Sequence, residues 1–465
     1  MHRRAFLQAL GAAAGMGLLP RLGPGRAAGV AANPPRPNFI ILIADDLAWN
    51  DVGCFGHPTI RTPHLDRMAA EGMRFTSAFL TTASCSPTRC SVITGRYPHA
   101  TGAAELHQPL PADQVAFPGL LRESGYYTAA AGKWHMGDDA RRHFDRIYGG
   151  GPSGGEQWLR ALRERPNDRP FLLWLAASDP HRPYRPDTID PPHRPEDMVV
   201  PPFLPDAPEV RRDLALYCDE VSRLDAFVGR VLDEVDRQGI DQDTCILFFS
   251  DNGRPFPRCK TRLYDSGVKT PLLVRWPGRV EPGTVCDGLV SVVDLAPTIL
   301  YLAGLPASET FHGVSFAPLL RDPAATTREY VFAEHNWHDY QAHERSARSK
   351  DLLYIRNAFP HLPGTPPADA VRSETFQTMR RLRGEGRLGA HQHDCFILPR
   401  PAEELYDVNK DPYSLHNVAE DPAYADALGH MRAVLEDWIR RTDDRIPATP
   451  TPDRFDRATG QPLQR

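Results

Sequence analysis

Lysine is scarce in this chain. Of its 54 basic residues only those at 133, 260, 269, 350 and 410 are lysines, so arginine serves wherever a generic positive charge suffices and each lysine asks for a reason. An excess of positive charge is missing as well: 54 basic against 59 acidic residues give a formal net charge of −5, which supplies no overall field for nucleic acid or an anionic membrane. The 8 cysteines form no CxxC pair and no zinc-like spacing, which argues against a structural zinc site. A chain of this size does not depend on disulfides for its core. No internal repeat is visible, and after residue 32 no apolar run is long enough to span a bilayer. Proline, by contrast, is abundant at 46 residues and clusters at 180–208 and 360–367, where the missing N–H donors predict loops over a globular body.

The first residues read as a leader. Arg3-Arg4 precedes Phe6-Leu7, an Ala/Gly/Leu-rich apolar stretch extends to Pro20, and Val30-Ala31-Ala32 offers a cleavage site. That order is the pattern of a twin-arginine signal peptide over residues 1–32, and its glycine-interrupted apolar run falls short of a membrane span. The mature protein is therefore expected in the periplasm or secreted, exported already folded and without a membrane anchor. Folding in a reducing cytoplasm favours free thiols.

Short apolar runs at 38–44, 169–176, 244–249 and 270–275 predict strands buried on both faces. Helical stretches lie between them at 62–71, 118–125 and 213–239. The last keeps Leu214, Tyr217, Val221, Leu224, Val228, Val231 and Val235 at three-four spacing, with Gly239 as its stop. Alternating buried strands and helices predict an α/β sheet with helices on both faces. Beyond residue 305 this rhythm stops, and a polar Arg- and His-rich region leads to 348–357, 404–407 and an amphipathic helix capped at Asp421-Pro422 and running to about residue 441. Residues 33–324 are expected to form the main body and 325–465 a smaller α+β domain at its rim.

In such sheets ligands bind at the carboxyl ends of strands. Asp45-Asp46 closes one run and Asp251-Asn252 another. Adjacent acids ending a buried strand are costly unless something cationic compensates them, and four oxygen ligands suit a hard divalent ion such as Ca²⁺ or Mg²⁺. Either pair alone reads more simply as a cap on a following helix or turn; the two together favour the metal. The segment Ser84-Cys85-Ser86-Pro87-Thr88-Arg89 continues to Thr94-Gly95-Arg96, with Pro87 fitting a first helical turn and Gly95 a helix end. Cys85 is then expected at a helix N-terminus, where amide dipoles make a thiol acidic and nucleophilic. A small buried cysteine is the plain alternative.

These motifs resemble one family. Cys85-x-Pro87-x-Arg89 followed by Thr94-Gly95-Arg96 is similar to the signature of type I sulfatases. Asp45-Asp46, Gly132-Lys133-Trp134-His135, Asp179-Pro180-His181 and Ser250-Asp251-Asn252-Gly253 stand in that family's order across residues 36–440. Thr88 stands where the family usually carries Ser. The resemblance implies the alkaline-phosphatase-like sulfatase fold: α/β, with a large mixed sheet flanked by helices plus a smaller C-terminal α+β domain. It implies that a separate maturase converts Cys85 to formylglycine, whose hydrate is the nucleophile. Asp45, Asp46, Asp251, Asn252 and residue 85 would hold one Ca²⁺, with Mg²⁺ as the alternative. Arg89, Lys133 and Lys260 would stabilise the sulfuryl group, and His135 or His181 would protonate the leaving atom. An ammonium that reaches a sulfate oxygen and can give up its proton explains two of the rare lysines; Lys269 is read as structural.

Within the family, residues 251–257 with Leu263-Tyr264, the Leu106-His107-Gln108 segment and residues 404–412 most resemble the heparan sulfamidases, which carry Arg where this chain has Lys260. The implied substrate is a sulfated saccharide, with His107 and Arg345 orienting its hydroxyls from the rim. An O-sulfatase acting on another sulfated glycan uses the same core residues. A phosphonate or phosphate monoesterase and a non-catalytic sulfated-glycan binding protein are further alternatives, and a homodimer is compatible with all of them. No feature calls for nucleic acid as a partner.

Overall fold

In the computed structural model, which describes residues 36–464, the strand Asn38–Ala44 runs through the middle of an eight-stranded mixed sheet. Parallel neighbours flank it, Phe171–Ala176 on one side and Thr244–Ser250 on the other, with Ile43 opposite Ala176 and Ala44 opposite Ser250. Tyr127–Gly132 and then Arg146–Tyr148 continue the parallel half. On the other side Leu272–Arg275 and Met73–Phe75 join by antiparallel pairings and Thr284–Cys286 by a parallel one. The run expected as a strand at 270–275 is therefore present but reversed relative to the central strands.

The continuous apolar runs have a direct cause. Phe39, Ile41 and Ile43 face one core cluster with Leu172, Trp174, Leu247 and Phe249, while Ile40, Leu42 and Ala44 face another with Leu173, Leu175, Ile246 and Phe248. Both faces are covered, so neither set is polar. Burying each large aliphatic side chain contributes about 1.5–3 kcal/mol, so the Asn38 strand is firmly seated, and groups at its carboxyl end inherit that rigidity. The longest helix, Pro208–Gln238, opens with Pro at its first position and ends at Gly239, whose φ of 65° lies in the left-handed region glycine adopts without cost. Its apolar stripe packs on the second cluster through Leu214, Val221, Val228 and Val235. Pro63–Ala70 and Phe117–Glu123 occupy the other expected helical stretches.

A second sheet is antiparallel and orders Val331–His335, Glu344–Arg348, Leu352–Asn357 and Glu403–Asp407. Its residues alternate with a period of two. Val331, Ala333, Leu353, Ile355 and Tyr406 enter the core of the first sheet. Phe332, Ala347, Tyr354 and Leu405 meet Leu428, Met431, Leu435 and Trp438 of the helix Ala425–Thr442. Asp421 accepts the Ala423 N–H at 2.9 Å and caps the short turn Pro422–Tyr424 that leads into this helix. The leader expected at 1–32 lies outside the described residues. No described helix is long and apolar enough to cross a membrane.

Candidate active site

Three strands of the parallel half deliver the polar residues to one edge of the large sheet. Asp45 and Asp46 follow Ala44, Asp251 and Asn252 follow Ser250, and Lys133 follows Gly132 on the strand beyond Phe171–Ala176. Gly132 is required there: its φ is 92°, and a Cβ would stand 1.9 Å from the Ala176 carbonyl oxygen. The helix Cys85–Thr94 closes the edge with Cys85 in its first turn and Gly95, at φ 61°, as its stop; all ten of its residues are buried. Asp46, His107 and His135 adopt positive φ of 76°, 68° and 57°. Non-glycine residues hold that conformation only where the surroundings impose it.

Three carboxylates meet three cations at this edge. Arg89 approaches Asp251 Oδ2 to 2.9 Å from Nε and 2.7 Å from Nη2. Lys260 Nζ lies 2.7 Å from Asp46 Oδ1 and 2.9 Å from Oδ2, and Lys133 Nζ pairs with Asp45 Oδ2. Burial opposes ionisation of Asp45, but Lys133 together with His181, Arg89 and Lys260 outweighs it and holds this carboxyl well below the usual range. Asp251 moves the other way, pushed up to about 6 by burial and by the Asp45 charge, against the pull of Arg89. The remaining lysines are elsewhere: Lys269 lies over the Trp49 ring at 3.9 Å, and Lys350 and Lys410 pair with Asp287 and Asp407.

The histidines divide. His181 Nδ1 lies 2.5 Å from the Arg182 carbonyl oxygen, so Nδ1 carries a proton and Nε2 turns toward the cluster, 3.9 Å from Asp46 Oδ2 and 3.8 Å from Asp369 Oδ2. His135 Nε2 and His107 Nδ1 share a hydrogen bond of 2.7 Å, and the His107 backbone N–H donates to Ser86 Oγ at 2.8 Å. Burial first, then Lys133 and Arg89, push His135 down to about 2, so its ring is neutral.

Two expectations are corrected. The Cys85 thiol is not acidic: burial pushes its pKa far up, and the nearby Lys260 and Lys133 do not offset that. A helix dipole acts on a charge that forms, and at 1% exposure the thiolate has too little solvation to form. Arg345 does not reach the cluster through any hydrogen bond. It is buried and grips Asp444 from Nε and Nη2 at 2.5 and 2.8 Å, with its third nitrogen on the Glu344 carbonyl. Two residues absent from the sequence reading do reach the site. Asp369, from the short helix Ala368–Val371, stands beside His181. His338 Nδ1 lies 2.7 Å from Ser84 Oγ, the residue that caps the Cys85 helix. Neither carries a local sequence signal.

The donor set suits a hard divalent cation. One ligand atom each from Asp45, Asp46, Cys85 and Asp251 lie within 4.8 Å of one another. Asp45 Oδ1 and Asn252 Oδ1 are buried without a partner among the described residues, the kind of oxygen such an ion takes up.

A family profile described as Sulfatase matches residues 37–155 and 154–305. The chain belongs to the sulfatase family. A second profile, described as N-sulphoglucosamine sulphohydrolase, C-terminal, matches residues 259–354 of this sulfatase. The sulfatase is 32% identical to human N-sulphoglucosamine sulphohydrolase, over 90% of this chain and 92% of that one. It is 29% identical to an ulvan-active sulfatase of Formosa agariphila, over 88% and 76% of the two chains. Among solved structures, the fold matches a putative sulfatase of Bacteroides fragilis with a TM-score of 0.69 at 19% identity, over 89% and 97% of the chains. A protein solved in complex with its substrate D-glucosamine-2-N,6-O-disulfate matches with a TM-score of 0.65 at 19% identity, over 89% and 99%. The fold is thus the sulfatase α/β fold, and the chain is a hydrolase of sulfuric esters or sulfamates.

Proposed function

We propose that this sulfatase removes sulfate from a sulfated saccharide and that glucosamine N-sulfate, free or ending a heparan fragment, is the sugar it acts on. The observation that carries this reading is the identity to human N-sulphoglucosamine sulphohydrolase, which runs nearly the full length of both chains and includes the region its C-terminal profile matches.

Asp45, Asp46, Asp251 and Asn252 would hold the cation beside residue 85, Ca²⁺ in this reading. The ion would polarise a sulfate oxygen, and the hydrate of a formylglycine made from Cys85 would supply the hydroxyl nucleophile. This chain's own residues do the rest. Arg89, Lys133 and Lys260 set positive charge where the sulfuryl oxygens gather negative charge. Asp45, Asp46 and Asp251 balance Arg89, Lys133 and Lys260 in formal charge, so a divalent ion held among them would add positive charge that favours an anionic sulfuryl group. His181 exchanges protons through Nε2 and protonates the leaving nitrogen or oxygen. His135, neutral and tied to His107, orients the sugar side of the pocket rather than donating a proton. Because Cys85 is fully enclosed, its maturase must act before the chain finishes folding, ahead of export of the folded enzyme through the leader at 1–32.

The test uses protein made with a formylglycine-generating enzyme and a panel of N-, 2-O-, 3-O- and 6-O-sulfated saccharides. The N-sulfated sugar should release sulfate fastest, and peptide mapping should find an aldehyde oxygen in place of sulfur at residue 85. Cys85→Ala should fold and be inactive. Release from 6-O-sulfated glucosamine with none from the N-sulfated sugar would leave an O-sulfatase; retained turnover in Cys85→Ala would remove the nucleophile.

A further inference from the structure

One carboxylate at the site has no part in the cation cluster. Asp369 is absent from the converging group Asp45, Asp46, Cys85 and Asp251, yet its Oδ2 lies 3.8 Å from His181 Nε2, nearly the same distance as Asp46 Oδ2. His181 Nε2 therefore lies at nearly equal distances from the cluster and from Asp369. The Asp369 side chain is 22% exposed, so solvent reaches it.

Its placement is fixed from behind. Asp369 Oδ1 accepts the Ala370 N–H at 2.7 Å, and the Ala368 N–H donates to Asp339 Oδ2 at 2.9 Å. Asp339 itself sits at φ 63°, next to the His338 that bonds Ser84 at the cap of the Cys85 helix. Burial disfavours the Asp369 charge, but Lys260, His181 and Arg182 outweigh it and keep the carboxyl ionised. Among the described residues, no group donates a hydrogen bond to Oδ2.

An ionised acceptor beside the leaving-group acid distinguishes nitrogen from oxygen. A sulfamate nitrogen keeps an N–H that a carboxylate can accept, whereas an ester oxygen in the same place offers only lone pairs. A partly buried carboxylate facing those lone pairs is left unpaired. The glucosamine that remains after sulfate is removed is an ammonium at neutral pH, which the same carboxylate binds as an ion pair.

We propose that Asp369 is the specificity-determining residue for the amino group, accepting the N–H of an N-sulfated sugar and pairing with the ammonium of its product. This rests on the sulfamidase reading above and assigns it to one residue.

The experiment compares wild type and Asp369→Asn, both matured, on glucosamine N-sulfate and on 4-nitrocatechol sulfate, which has no amine. It also measures inhibition of aryl sulfate hydrolysis by glucosamine and by N-acetylglucosamine. The isosteric change should leave thermal unfolding near wild type. Because the carboxylate's hydrogen bond is charge-assisted, kcat/KM for the sugar should fall roughly 10- to 100-fold more than for the aryl sulfate. Glucosamine should inhibit wild type better than N-acetylglucosamine and lose that advantage in the variant. Equal losses on both substrates, with glucosamine inhibition unchanged, would overturn the proposal. If wild type does not cleave the N-sulfated sugar, the sulfamidase reading fails, and the inhibition arm still decides Asp369: glucosamine no tighter than N-acetylglucosamine overturns it.

Discussion

Replacing Arg345 by Met should damage stability and spare chemistry, the reverse of what a rim residue would do. Arg345 is 3% exposed, Asp444 7% and Glu334 fully buried. The arginine forks onto Asp444, lies 3.7 Å from Glu334 and shares both carboxylates with His99, whose Nδ1 is 2.7 Å from Glu334 and 3.9 Å from Asp444. Removing one partner from such a buried group costs about 3–5 kcal/mol, because the remaining charges lose their compensation. Unfolding entropy of about 2.1 cal/mol/K per residue over about 430 residues is about 0.9 kcal/mol/K, so Tm should fall by about 3–6 °C. The deficit should depend on pH in one direction. Burial lowers the His99 pKa, but Glu334 and Asp444 outweigh it and raise it above its ordinary value. Its stabilisation is therefore fully present below about pH 6.5 and lost as pH rises through the folded value. With Arg345 gone the carboxylates lean on His99 alone, so the Tm loss should be larger at pH 8 than at pH 6. Scanning calorimetry at both pH values, with kcat/KM on a saccharide and an aryl sulfate, reads this out. A Tm loss below 1 °C together with a selective loss on the saccharide would refute the reasoning and restore Arg345 to the rim.

Two further outcomes are expected. Exhaustive chelation, confirmed by elemental analysis, should abolish turnover, and Asp251→Ala should lose both metal and activity; an unchanged rate after chelation would remove the cation from the mechanism. Asp225 accepts the Leu65 and His64 N–H groups at 2.7 and 3.1 Å at the start of the helix Pro63–Ala70, and burial pushes its carboxyl up to about 7 despite those bonds. A folded value above the unfolded one means stability declines as pH rises from about 4 to about 7. Asp225→Asn should flatten that part of the Tm–pH curve, and an unaltered slope would show that the carboxyl does not titrate there.

The candidate site's edge is legible in the sequence because its signals are local. An apolar strand that ends in two acids is an anomaly in any sequence, and the parallel pairing that sets Ala44 against Ser250 turns two anomalies into one cluster. The lysines were legible by contrast with the arginines around them. The position of Cys85 at its helix end is legible in the motif, whereas its acidity is not, since a motif carries the dipole but not the 1% exposure that opposes it. Asp369 was invisible for the opposite reason: a four-residue helix after a proline-rich stretch has no periodicity to read, and only tertiary folding brings it to His181.

The burial of Arg345 is not legible from its own segment. Its strand reads Glu344-Arg345-Ser346-Ala347-Arg348, a polar segment that pattern rules assign to a surface, yet all five residues are buried. Each charge is met by partners distant in sequence: Glu344 by Arg262 and Arg400, Arg345 by Asp444, and Arg348 by Asp265. Two of these, Arg262 and Asp265, follow the site lysine Lys260, so the polar strand holds the loop that aims its ammonium at Asp46. A network of this kind is strongly destabilised when one member is lost, and here that cost fixes the position of a functional loop. Arg345, expected at a substrate rim, thus belongs to a buried ion-pair network that packs against the residues following Lys260.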